Sequence, residues 1–304
     1  MRHRWPILAV AIPFVFGCSL AAAYPAAAST SIMGPGGPVQ PGGPISGMAP
    51  TSIGGTPPGP FTSPATLPSQ TITAGSRTGT GTRGTVVTST NWSGYAATGG
   101  PFTSVTSSWV QPTGNCSGRG DQYAAFWVGL DGYSSSTVEQ TGSEVDCNGR
   151  TAEYYGWWEM YPGASVDYGN RVRPGDHFTA TVTYLSASKQ FQLTLTDSSE
   201  PWTKTVTEAL SGNTVAARSS AEVIAEAPCC TANGGILPLT NFGTVSFNGS
   251  AAAMANAASA SLASFNPVEI EMSDVSVSSI STGGNFSVSY TGGIGRNPFP
   301  FGGF

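Results

Sequence analysis

From Val86 to about Tyr290 apolar and polar residues alternate with a period of two, in short runs broken by turn residues. In 177–184, for example, Phe178, Ala180, Val182 and Tyr184 share one side and Thr179, Thr181 and Thr183 the other, as in a strand with one buried face. The pattern predicts strands over 104–110, 122–128, 137–144, 152–161, 177–184, 190–196, 202–208, 221–227, 243–248, 268–272, 275–280 and 286–290. Tyr161-Pro162-Gly163, Arg173-Pro174-Gly175 and Asn233-Gly234-Gly235 supply turns between them. Many short strands at such spacing make an all-β protein, an antiparallel β-sandwich. The run 251–263 is rich in alanine and has helix propensity, but it lacks an apolar stripe, so helix and loop both stay open.

The segments flanking this pattern read differently. Residues 1–28 have the form of a secretory signal: Arg2 and Arg4, then the apolar run Ile7 to Leu20, then small residues at Ala21-Ala22-Ala23 or Ala26-Ala27-Ala28. The apolar run is short for a membrane span, so the expected product is secreted, with no membrane attachment once the signal is removed. Residues 29–85 are rich in Pro, Gly, Ser and Thr and hold too few large apolar residues to fold alone, as in a linker or a propeptide. The domain is expected over 86–291, and 292–304 is a Gly/Pro/Phe-rich tail.

Charge and rare residues narrow the chemistry. The formal net charge is −5, which leaves no basic footprint for nucleic acid. Every acidic residue lies at Asp121 or later. Four of the 12 basic residues precede Val86, so the remainder carries eight against 17, a formal −9. Low pH relieves that self-repulsion. The only histidines are His3 and His177. A His-dependent nucleophile would therefore have to run through His177, at the turn-to-strand step Asp176-His177-Phe178. A His-rich zinc site is impossible, no cysteine pair has CxxC spacing, and no metal or cofactor is expected. Beyond Cys18, export implies that Cys116, Cys147, Cys229 and Cys230 are oxidised. Three pairings are open, of which Cys116–Cys147 with a vicinal Cys229–Cys230 bridge is the expectation.

The most informative stretch is Phe126-Trp127-Val128-Gly129-Leu130-Asp131-Gly132, a strand ending in a turn signal, followed by a second strand through Glu139-Gln140-Thr141-Gly142. In the second strand Val138, Gln140 and Gly142 face one way and Glu139 and Thr141 the other. Downstream lie Trp157-Trp158-Glu159-Met160-Tyr161-Pro162 and Ala221-Glu222-Val223-Ile224-Ala225-Glu226; upstream lies Asn91-Trp92-Ser93-Gly94-Tyr95. Taken in order, these motifs resemble the glutamic peptidase family, the eqolisins, over roughly residues 86–291. The resemblance implies a concanavalin-like sandwich of two packed, curved sheets. It also implies a catalytic dyad of Gln140 and Glu226, on strands lying side by side with that of Glu159 across the concave face. Trp92, Trp127, Asp131, Glu159 and Tyr161 would contact substrate. The implied protein is a monomeric acid endopeptidase acting on proteins or peptides and insensitive to pepstatin.

That dyad is chemically sufficient. A carboxylate can take a proton from water, while an amide donates to the developing oxyanion through its NH₂ and accepts through its carbonyl. In the strand 221–227, Glu222 and Glu226 share a face about 13 Å apart, too far to share one proton. Two other readings compete: a carbohydrate-binding sandwich module with exposed coplanar aromatics, and a glycoside hydrolase using paired carboxylates such as Glu159 and Glu226.

Overall fold

The structure, a computed structural model, describes residues 85–292 except 119, 213 and 230–235. The expected signal, nearly all of the Pro/Gly-rich segment, the tail beyond Gly292, Cys18 and Cys230 lie outside the described residues.

The strands in chain order are β1 (Val86–Thr88), β2 (Trp92–Thr98), β3 (Phe102–Val110), β4 (Gln122–Leu130), β5 (Val138–Asn148), β6 (Thr151–Tyr161), β7 (Val166–Asp167) and β8 (His177–Leu185). They continue as β9 (Gln190–Asp197), β10 (Trp202–Glu208), β11 (Ser220–Glu226), β12 (Thr244–Met254), β13 (Ala260–Ser261), β14 (Val268–Glu271), β15 (Val275–Val277) and β16 (Phe286–Tyr290). One sheet has the order β1-β14-β2-β11-β4-β5-β6-β7, and the other β10-β9-β8-β3-β12-β16-β15, with β13 paired to β12. Pairing is antiparallel except between β1 and β14. Two packed sheets make the β-sandwich that the alternation predicted.

The inner faces meet in a core of Phe102, Trp109, Phe126, Phe178, Leu193, Leu195, Val223 and Phe247, all buried. Truncating any one of these large side chains to Ala would cost about 2–5 kcal/mol. Trp109 keeps its N–H satisfied in this core by donating to Ser143 Oγ over 2.9 Å. A bridge joins Cys116 to Cys147, as expected, and Cys229 is also disulfide-bonded.

The first sheet carries a second apolar cluster on its other face, which includes Trp92, Ala96, Ala125, Trp127, Tyr155, Trp157, Tyr161, Ile224 and Ile270. Its central strands are therefore buried on both faces. This hid β2 from the sequence reading: every residue of Trp92–Ala97 is buried, so period-two alternation vanishes. The alanine-rich run is neither helix nor plain loop. β12 extends through it to Met254, followed by β13 and a 3-10 turn over Leu262–Phe265.

The order of strands corrects one expectation. β5 and β6 are neighbours, but β4 separates β11 from β5. Glu226 and Gln140 thus lie two strands apart rather than one.

Candidate active site

Backbone register sets the layout of the face that carries this second cluster. Glu222, Gly129, Gln140 and Glu159 form one row across β11, β4, β5 and β6. Four residues along β11, the parallel row runs Trp92, Glu226, Ala125, Glu144 and Tyr155. Period two puts all of these side chains on the same face as the tryptophan cluster.

On a flat sheet Gln140 and Glu226 would be separated by about 10 Å across the strands and 13 Å along them. The side chains shorten that gap, since the charge of Glu226 is felt at Glu159. Trp92 pairs with Glu226, yet a Cβ placed on Gly132, at the far end of the face, would fall 2.8 Å from Trp92 Cη2 and 2.6 Å from Val138 Cγ2. The β4–β5 turn folds back onto the Trp92 ring. Gly132, at φ +105°, is required both for that backbone and for that closeness.

Glu226 is held at both oxygens. Asn91 Nδ2 donates to Oε1 over 2.9 Å, and Trp127 Nε1 donates to Oε2 over 2.8 Å. Trp92 and Trp127 meet edge to face, with centroids 4.9 Å apart and planes at 77°. Glu226 is 5% exposed, and burial raises its pKa to about 7. The Trp127 and Asn91 hydrogen bonds hold it from going higher, helped by the nearby Trp92 indole N–H, whose geometry falls short of a hydrogen bond.

Gln140 is 1% exposed. Its Nε2 donates to Glu159 Oε2 over 2.7 Å. The pKa of Glu159 is raised well above the usual range by burial and then by the charge of Glu226, while the Gln140 contact opposes the rise. The dyad candidates and Glu159 thus form one electrostatic unit, although β4 lies beneath it.

The remaining expected site residues divide. Trp92 and Trp127 flank Glu226, and Tyr161 lies beyond Glu159 on the same face. Asp131 accepts from the backbone N–H of Arg218 (2.6 Å), from that of Ser219 (2.9 Å) and from the Ser219 hydroxyl (3.1 Å), tying the β4–β5 turn to the segment entering β11. His177 opens β8 on the opposite sheet and is exposed.

Two features escaped the sequence reading. Asn91 was seen only as part of a motif, not as the ligand of a carboxylate 135 residues away. The second is Glu144 with Asp146. Both are buried and lie on the dyad's face, and Tyr155 donates its hydroxyl to Asp146 over 3.1 Å. Burial raises both, Asp146 to about 7, and the charge of Glu226 adds to the rise at Glu144. The sequence signal for them is Ser143-Glu144-Val145-Asp146, with acids at alternate positions of the strand that carries Gln140. Among the described residues, no group of His, Cys, Asp and Glu is arranged to hold a metal ion. No helix among them is long and apolar enough to cross a membrane.

Comparison with known proteins adds the family signal. The Peptidase A4 family model matches residues 90–290. Among solved structures, the chain is similar to scytalido-glutamic peptidase with a transition state analog inhibitor, at 24% identity and a TM-score of 0.58, covering 66% of this chain and 98% of that one. It is also similar to SCP-B, a member of the eqolisin family of peptidases in a complex with the tripeptide Ala-Ile-His. That match has 21% identity and a TM-score of 0.54, over 66% of this chain and 98% of that one. At such identities these structures speak for the shared fold alone. No curated protein matches the chain.

Proposed function

The chain belongs to the peptidase A4 family, the glutamic peptidases, and from that premise we propose that it is a secreted acid endopeptidase that cuts peptide bonds with Gln140, Glu226 and one water. Membership makes it a peptide hydrolase; the dyad, the export and the acid optimum are our reading. The observation that carries it is the anchoring of Gln140 and Glu226 on one face of the sheet, each held by buried polar partners.

In this reading ionised Glu226 takes a proton from water as the hydroxyl oxygen attacks the scissile carbonyl carbon. The carbonyl π electrons move to oxygen, and the Gln140 NH₂ donates to that oxyanion. The C–N bond then breaks, and protonated Glu226 returns its proton to the leaving amine. Asn91 and Trp127 orient the carboxylate throughout, and Glu159 orients the Gln140 amide.

Burial sets a condition. With a pKa near 7 Glu226 keeps its proton in acid, so it serves as a base there only once the face opens and water lowers that value. Residues 29–85 are then read as a propeptide, removed as the enzyme activates.

The carbohydrate-module reading fares worse, because the Trp92–Trp127 pair is buried and edge to face rather than exposed and coplanar. Digestion of casein by the purified protein at pH 3–4 and at pH 7 tests the proposal. Cleavage confined to acid and insensitive to pepstatin supports it; failure to cut at any pH argues against it.

A further inference from the structure

The face that carries the dyad ends beside a hollow. A cavity of about 570 Å³ opens between the β2–β3 turn, the β4–β5 turn, the segment entering β11 and the start of β14. Its walls include Thr98, Pro101, Tyr133, Ala217, Ser219 and Val268. Tyr133 and Val268 also pack on the apolar cluster that contains Trp92 and Trp127, so the cavity borders the face that carries the proposed site. Val268 stands in the same cross-strand row as Gln140, through Ala96, Glu222 and Gly129.

The hollow is preformed rather than loose. Asp131 fixes the backbone at Arg218 and Ser219. Phe102 N donates to Arg218 O over 2.7 Å, Gly100 N to Ser219 O over 3.2 Å, and the Ser134 and Ser219 hydroxyls meet at 3.3 Å. Three loops are thereby knitted into one wall. A Cβ on Gly100 would lie 2.1 Å from Arg218 O, so only glycine permits this approach.

The hollow is also uncharged. Among the described residues, no ionisable side chain other than the Tyr133 phenol lines it. Arg218, between the lining residues Ala217 and Ser219, places its guanidinium over the Tyr184 ring, 4.1 Å from its centroid. An aromatic ring, a proline and aliphatic side chains, edged by hydroxyls, suit an apolar group better than a charged one.

Resting on the peptidase reading above, we propose that this cavity is a remote specificity subsite that takes a large apolar side chain, aromatic or long aliphatic, of the peptide substrate. Three strand spacings separate β14 from β4, beneath the scissile bond, or about 14 Å. An extended peptide crossing the face covers that in about four residues. The selected residue therefore lies about four positions from the cut. Asp131 acts here as a positioning residue for the wall and does not touch substrate.

The test uses pairs of long peptides that differ only in carrying Phe or Ala at each position up to six from the cut. At one position about four residues away, the wild type should favour Phe by about tenfold or more in kcat/KM. Filling the cavity by Ala217→Trp, at an exposed position, should bring that ratio close to one, and Thr98→Trp should do the same from the opposite wall. Circular dichroism and cutting of any peptide show that each variant is folded. A wild-type ratio near one at all these positions overturns the subsite, as does a ratio unchanged in both variants. Wild-type cleavage of the Ala peptides keeps the peptidase reading standing in either case; absence of all cleavage would instead remove that reading.

Discussion

Gln140 donates its side-chain amide to Glu159 across the β5–β6 pair, over 2.7 Å with both residues buried. An amide held by a carboxylate is oriented but engaged. As Glu159 takes up a proton it becomes a weaker acceptor, and the Gln140 NH₂ can turn to an oxyanion more easily. Glu159 gains that proton well above the usual carboxylate range. In the proposed mechanism the pair would couple acid to the release of Gln140 as oxyanion donor.

Removing the donor tests its share. Gln140→Ala should lower kcat by about 10²–10³. Gln140→Glu offers a donor only while protonated, so its residual activity should be confined to lower pH than that of the wild type. Rate measurements from pH 2 to 7 check both; activity of Gln140→Glu at or above the wild-type optimum would speak against an oxyanion role.

Trp127 should control where Glu226 titrates. Its indole N–H stabilises the carboxylate and lowers the pKa that burial raises. Trp127→Phe removes the donor, so the Glu226 pKa rises. The limb of kcat/KM that reports ionisation of Glu226 should move to higher pH. Asn91→Ala should move it in the same direction. Movement to lower pH, or none in both variants, would contradict the assignment of Glu226.

Stability should fall as pH rises. Glu139, Glu144, Glu159 and Glu222 are buried with pKa values well above the unfolded-chain value of 4.5, and Asp146 and Glu226 are raised to about 7. Below the unfolded values all are protonated in both states and cost nothing. Above them the unfolded chain loses protons that the folded chain keeps, and each such group costs about 1.4 kcal/mol per pH unit until its folded pKa is passed. Thermal melts at pH 3, 5 and 7 should show Tm decreasing in that order. Glu139→Gln should flatten the trend, because Glu139 lies on the face of β5 opposite the dyad. A Tm that peaks at pH 7 would be the wrong sign.

Strands with one wet face, such as β8 and β9, were legible because Phe178, Ala180, Val182, Phe191 and Leu193 alternate with threonines. β2 was not, since both of its faces are dry. The dyad candidates could be named from motif order. Their setting could not: sequence order does not say that β4 inserts between β11 and β5, nor that Asn91 reaches Glu226. Asp131 shows the same limit. Its turn position was visible, but its bonds to Arg218 and Ser219 depend on a chain crossing 87 residues on. Long-range register, not local propensity, decides such contacts.

Chelation should leave the rate unchanged, because the proposed chemistry runs through an amide, a carboxylate and water. Assay with and without EDTA checks this, and loss of turnover restored by a divalent metal would refute the metal-independent route.

The central claim is that Glu226 moves the proton. Glu226→Gln keeps the shape of the side chain and removes its proton acceptor. The decisive measurement is kcat of this variant on a peptide at acid pH, with folding verified by circular dichroism and with His177→Ala measured beside it. The account predicts no detectable turnover for Glu226→Gln and near wild-type turnover for His177→Ala. Turnover by folded Glu226→Gln within about tenfold of wild type, less than the 10²–10⁴ that general acid–base catalysis usually contributes, would contradict it.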